Sequence, residues 1–187
     1  MNRFEPNLAK FKEVDIRQLA QEIHEAAVAK GFWDVEDALD KHVAKMHCEI
    51  SEAVQADRMG NMYEIERDGA KPEGVAAELA DFVMMALDLI KMAGIVDRVS
   101  EYIPLAEETA EEMKIHTYHL PTIAVALHMS VCNIVSDTPA DDKYICAATM
   151  ITIPDAWLQA HGYDLWEIIR QKMEYNKSRP ALHGRAY

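Results

Sequence analysis

Apolar residues at Ile16, Leu19, Ala20, Ile23, Ala26 and Ala27 recur at the i, i+3, i+4, i+7 spacing of an amphipathic helix, and Gly31 marks its end. A second stripe, Leu39, Val43, Met46, Ile50, Ala53 and Val54, alternates steps of four and three. It predicts a helix from about Asp37 to Met59, with Asp57 where the stripe meets polar surroundings. The segment RMGNMYEIERDGAKP is charged and punctuated by Gly60, Gly69 and Pro72, which reads as a loop before a third helix over about Glu73 to Met92. Farther on, Pro104 and Pro121 each suit the first turn of a helix, where the missing N–H has no bond to lose. Helices are expected near residues 104–116, 121–136 and 141–160, with Pro154 kinking or splitting the last of these. Asp164 and Glu167 resemble a capping arrangement ahead of a final helix that ends near Asn176. Strict two-residue alternation is absent, the nearest approach being the four residues Met150 to Ile153. The fold class is therefore all-α, a helical bundle in one domain over residues 1–187.

Composition narrows the function. Half of the 187 residues are hydrophobic, enough for a substantial core and against disorder. A net charge of −13 repels phosphate backbones, so no nucleic-acid partner is expected, and a polyphosphate ligand needs a metal to screen it. Cys48, Cys132 and Cys146 are far apart and lack CxxC spacing, which reads as reduced cysteines in the core of a cytosolic protein. The N-terminus MNRFEPNLAKFKEVD has no apolar leader. The longest greasy stretch, Leu120 to Val135, is broken by Pro121, His128 and Asn133 and falls short of the ~20 residues that cross a bilayer. A cytoplasmic protein with no membrane partner is the expectation.

Chemistry concentrates on the second and third helices. Glu49 and Glu52 sit three apart, about 60° around a helix axis. Glu78 and Asp81 repeat the spacing, and the 25 residues between Glu52 and Glu78 allow an antiparallel return that brings four carboxylates together. Two solvated helix faces would give the same spacing. However, LADFVMMALDLI is apolar on nearly every side and still carries Asp81 and Asp88, two turns apart on one face. Buried carboxylates persist where a cation or a hydrogen-bond network neutralises them. Oxygen-only ligands select hard cations such as Mg²⁺ or Mn²⁺, and the Glu-x-x-His pairs of di-iron bundles do not occur. The acidic run Glu107, Glu108, Glu111, Glu112 reads as a solvated face, and His116, His119 and His128 as packing or surface residues. The C-terminal RQKMEYNKSRPALHGRAY holds five Lys or Arg against one Glu. Its Lys172, Asn176 and Arg179 are spaced to face one side, which suits an anionic phosphate, although a solvated terminus has the same composition.

EISE at Glu49 to Glu52 followed by ELAD at Glu78 to Asp81 resembles the ExxE and ExxD signature of the MazG-like all-α nucleoside triphosphate pyrophosphohydrolases, relatives of the dimeric dUTPases. IHEAAVAKGFW and the tail KMEYNKSRPALHGRAY resemble segments that flank the signature there. The likeness covers roughly residues 20–95 and 164–187, leaving 97–162 as an extra helical portion. It implies hydrolysis of an NTP or dNTP, dUTP- or dCTP-like, to the monophosphate and pyrophosphate. Mg²⁺, with Mn²⁺ as a substitute, would be held by Glu49, Glu52, Glu78 and Asp81, and Glu49 or Glu52 would take the proton of the attacking water. Lys172, Asn176 and Arg179 would then bind phosphate or sugar, and His24 and Trp33 would line the base pocket. The competing readings are an inactive helical interaction module and a phosphohydrolase of a nucleotide-sugar or alarmone. The apolar third helix and the extra segment suggest more greasy surface than one small bundle covers, hence a homodimer or larger homo-oligomer.

Overall fold

The computed structural model describes residues 14–65 and 71–184; most of the N-terminal segment MNRFEPNLAKFKEVD, Gly69 of the loop and the last three tail residues lie outside them. Among the described residues are seven α-helices: α1 (Ile16–Ala29), α2 (Ala38–Arg58), α3 (Val75–Met92), α4 (Val96–Glu112), α5 (Leu120–Val135), α6 (Ala140–Ala160) and α7 (Leu165–Lys177). The first three match their sequence periodicity closely. The α2–α3 loop carries a two-residue antiparallel ribbon, β1 (Glu64–Ile65) against β2 (Pro72–Glu73), too short for an alternation pattern to reveal.

Capping explains where helices begin. The Asp15 carboxylate accepts the Arg17 and Gln18 amides, and Asp164 accepts those of Trp166 and Glu167, each meeting donors that the first turn leaves unbonded. Pro121 stands in the first turn of α5 as its sequence suggests. Pro104 does not open a helix, because α4 starts at Val96 and carries Pro104 on its exposed side, where water can take the carbonyl that proline leaves unbonded. Pro154 does not split α6, which runs unbroken past it while that stretch is buried in the core.

The α3 helix is the axis of the molecule. It packs on α1, α2, α6 and α7, and twelve of its eighteen residues are buried, including Leu79, Phe82, Val83 and Leu87. Its all-round apolarity is thus satisfied within the chain by α6 of the extra segment, which removes the sequence argument that α3 needs a second subunit to cover it. One cluster of buried apolar side chains draws on every helix from Ile16 to Ile169. The cysteines are not core residues. Cys48 and Cys132 are exposed and Cys146 is half-buried. Cys48 lies two residues from both Met46 and Ile50, which turns it to the opposite side of α2. No helix of the described residues is long and apolar enough to cross a membrane.

Candidate functional site

Two stripes, polar at every position but one, face one another along the antiparallel seam of α2 and α3. The stripe on α2 reads His42, Lys45, Glu49, Glu52, and that on α3 reads Glu78, Asp81, Met85, Asp88, each at steps of three and four. Loop geometry sets their register. Val75 and Ala76 amides donate to the carbonyls of Asn61 and Met62 at 3.0 Å, stitching the start of α3 to the residues that leave α2. Gly74 precedes them at φ +96°, and a Cβ there would lie 2.7 Å from the Asn61 side chain and 3.0 Å from its backbone. Only glycine fits this crossing.

At the loop end of the seam, Glu49, Glu52 and Glu78 bring one carboxylate oxygen each to within 4.8 Å of one another. Glu49 is buried, Glu78 half-buried and Glu52 exposed. Burial first, then the negative charge of Asp81, Glu78 and Glu52, pushes the Glu49 carboxyl up to about 8 against the pull of Lys45, whose ammonium lies 3.4 Å away. Burial also raises Glu78, which shares a hydrogen bond with Glu49. Asp81, the fourth carboxylate of the sequence reading, does not join the trio. Its Oδ2 accepts from Lys172 Nζ at 2.6 Å, and Lys172 is itself 4% exposed. Burial alone would lower the ammonium of Lys172, but Asp81, Glu78 and Glu49 together hold it above its ordinary value.

A cavity of about 660 Å³ runs along the seam from Lys45 and Asp81 to His42 and Asp88, bounded by α1, the 30–38 turn, α2, α3, α7 and the tail; Glu49, Glu52 and Glu78 are not among its lining residues. Lys45 and Asp81 line it, so the carboxylate trio and the cavity share two charged neighbours. Asn176 is on its wall too, whereas Lys172, Arg179, His24 and Trp33 are not among its lining residues. Arg179 sits beside the wall, its guanidinium 3.4 Å from Asn176 Oδ1 and 3.5 Å from the His183 carbonyl, with Tyr175 beneath it.

His24 and Trp33 act behind the wall, on Asp88. The His24 Nδ1–H donates to Asp88 Oδ1 at 2.6 Å and the Trp33 indole N–H reaches both oxygens at 3.1 and 3.2 Å. Asp88 is 3% exposed, and burial raises its carboxyl while these donors pull the other way. This is the hydrogen-bond network that a carboxylate in an apolar helix requires.

Sequence reasoning passed over several residues. Lys30 donates from Nζ to the backbone carbonyls of Lys177 and Arg179, and its own carbonyl accepts the Leu182 amide at 2.8 Å, docking the tail on α1. His183 thereby lines the cavity, with its ring edge-on to Phe32 at 5.0 Å. Leu182 and His183 both hold positive φ, 49° and 52°, an uncommon conformation for side-chain-bearing residues. His42 was legible in principle, being seven residues before Glu49 and so on its face of α2. Outside the seam, His128 pairs with His47, their Nδ1 atoms 2.7 Å apart and their rings stacked. No family model, curated protein or solved structure matches this chain.

Proposed function

We propose that the chain is a Mg²⁺-dependent nucleoside triphosphate pyrophosphohydrolase that releases a monophosphate and pyrophosphate. The observation that carries this reading is the convergence of Glu49, Glu52 and Glu78 beside a cavity of nucleotide size, with Lys45 and Asp81 bordering both. The donor set fits a hard divalent cation. Its ligands are carboxylate oxygens only, and a Glu49 raised to about 8 by burial and then by like charge is a group that a cation would return to its ionised form. Glu49, Glu52 and Glu78 would hold the ion, with Asp81 joining when Lys172 turns from it to phosphate.

When bound, such an ion polarises the attacked phosphorus and lowers the pKa of water. The chain supplies the rest. Glu52, exposed and so within reach of solvent, or Glu49, deeper in the trio, holds the proton taken from the attacking water. Lys45 stands between carboxylates and cavity, where it meets phosphate oxygens. Asn176 orients the sugar or phosphate from α7, and Arg179 beside it offers a guanidinium to the leaving pyrophosphate. Phe32, Met84, Met85 and Met173 give the cavity apolar walls for a base.

A panel of nucleoside triphosphates assayed separately for pyrophosphate and orthophosphate tests the reading. Pyrophosphate release in Mg²⁺, abolished by EDTA, is the expected result; orthophosphate release alone, or no turnover of any triphosphate, overturns it.

A further inference from the structure

The cavity has a second chemical feature, at the far end of the seam from the carboxylate trio. His42 Nε2 lies 2.8 Å from the Met85 carbonyl oxygen, and a carbonyl only accepts, so Nε2 carries the hydrogen. The ring is fixed in that pose by stacking on Trp33, at 4.9 Å between centroids and 23° between planes. Nδ1 stands beyond hydrogen-bond distance of Asp88 Oδ2, at 3.7 Å, so no proton is shared there, and burial, which lowers the ring's pKa, favours the neutral form with a lone pair on Nδ1. That lone pair faces Oδ2. The other oxygen, Oδ1, takes His24 and the shorter Trp33 bond, and Oδ2 has only the longer Trp33 contact, which leaves it acceptor capacity. Two acceptors therefore face each other, and both His42 and Asp88 line the cavity.

We propose that His42 and Asp88 form an acceptor pair on the cavity wall that selects a nucleobase bearing an exocyclic amino group over its keto counterpart. This rests on the reading of the cavity as a nucleoside site. An N–H directed between Nδ1 and Oδ2 is shared by both in a three-centre bond, whereas a carbonyl oxygen in that position meets two lone pairs. Uracil offers one ring N–H, but carbonyl oxygens flank it on both sides and would abut the same acceptors. Cytosine offers its amino edge free of that conflict. Selection by buried polar groups is steep because a mismatched partner leaves them unbonded.

Binding of dCMP and dUMP to the full chain, measured by titration calorimetry, tests this independently of turnover. The expected result is dCMP tighter by at least about tenfold. In Asp88→Asn the amide oxygen takes the His24 and Trp33 donors and its NH₂ donates to His42 Nδ1, so the preference should vanish or reverse with dUMP binding retained. A purely structural role for Asp88 would weaken both ligands equally. If Asp88→Asn does not fold, His42→Phe keeps the stack on Trp33 and removes one acceptor, and the preference should shrink. Equal binding, tighter dUMP, no binding of either, or a preference unchanged in the folded variant overturns the proposal. Selective dCMP binding without pyrophosphate release from dCTP would leave the acceptor pair standing and overturn the enzymatic reading instead.

Discussion

The two ends of the α2–α3 seam hold buried acids with opposite neighbours. Asp88, at one end, is held by two protein donors, His24 and Trp33, and keeps acceptor capacity only on Oδ2 toward the cavity. Glu49, at the other, is buried among Asp81, Glu78 and Glu52 with a single lysine 3.4 Å away, and its carboxyl is held near 8. The same helices and the same three-and-four spacing produce both. What differs is the neighbour: His24 and Trp33 reach one end from α1 and its turn, while carboxylates crowd the other. A carboxylate satisfied by protein donors stabilises the fold, and one opposed by like charge sacrifices stability for a ligand.

The most direct way to break this contrast is to neutralise both ends. Glu49→Gln, Glu52→Gln, Glu78→Gln and Asp81→Asn should each lower kcat at least about 100-fold in Mg²⁺ with the fold retained. Near-wild-type turnover in two of them would remove the trio from catalysis. Stability should move in opposite senses. Between about 4.5 and 8 the folded chain keeps a proton on Glu49 that the unfolded chain has released, so metal-free stability must fall as pH rises through that window. Thermal melts in EDTA should therefore show Glu49→Gln more stable than wild type at pH 8 and less sensitive to pH. Asp88→Ala strands the His24 and Trp33 donors and should destabilise by about 2–3 kcal/mol. Equal pH slopes for wild type and Glu49→Gln would erase the distinction between the two ends.

Between the ends stands the Asp81–Lys172 pair, which sharpens the comparison because it can side with either. Breaking a buried ion pair costs about 3–5 kcal/mol, and Asp81 is partly exposed, so Lys172→Met should destabilise by about 2 kcal/mol. In a double-mutant cycle with Asp81→Asn, most of that loss should disappear. Additive losses by chemical denaturation would show that Lys172 packs there for its methylenes alone.

The legibility of these features in the sequence follows the range of the interactions. Helices α1 to α3 were readable because a core stripe repeats every turn, and both stripes of the seam lie on that same periodicity. The convergence of Glu49, Glu52 and Glu78 followed from two i, i+3 pairs and an antiparallel return. The diversion of Asp81 was not readable, because its partner Lys172 is 91 residues away on α7 and nothing local marks the meeting. His24 and Trp33 contact Asp88 behind the cavity wall rather than lining a base pocket, since their direction depends on how α1 packs on α3. Pro104 and Pro154 misled because tertiary packing and solvent tolerate a lost helix bond that a local rule treats as a boundary. The tail's docking through Lys30 rests on main-chain carbonyls, which carry no sequence signature.

That docking supplies the smallest expected effect. Burial first, then the positive charges of Arg179, Lys45 and Lys30, lowers the His183 imidazole to about 4, with Asp81 opposing. The neutral ring is thus the docked form. An undocked tail gains a proton on His183 near its ordinary 6.5 while the docked tail resists until about 4, so docking is complete above 6.5 and weakens as pH falls toward 4. His183 is only half-buried, so solvent screens the effect. It is still measurable, because Leu182 and His183 hold left-handed backbone that costs about 1 kcal/mol each and leaves the docked tail little margin. The Leu182 amide, bonded to the Lys30 carbonyl, is the reporter: its protection from hydrogen exchange should drop severalfold more between pH 7 and 5 than that of core amides in α3, once the intrinsic pH dependence is removed. His183→Phe keeps a ring against Phe32 without a titrating group and should hold Leu182 protected throughout. Protection that falls equally in wild type and His183→Phe would mean that the tail is held through Lys30 and that the His183 ring does not couple docking to pH.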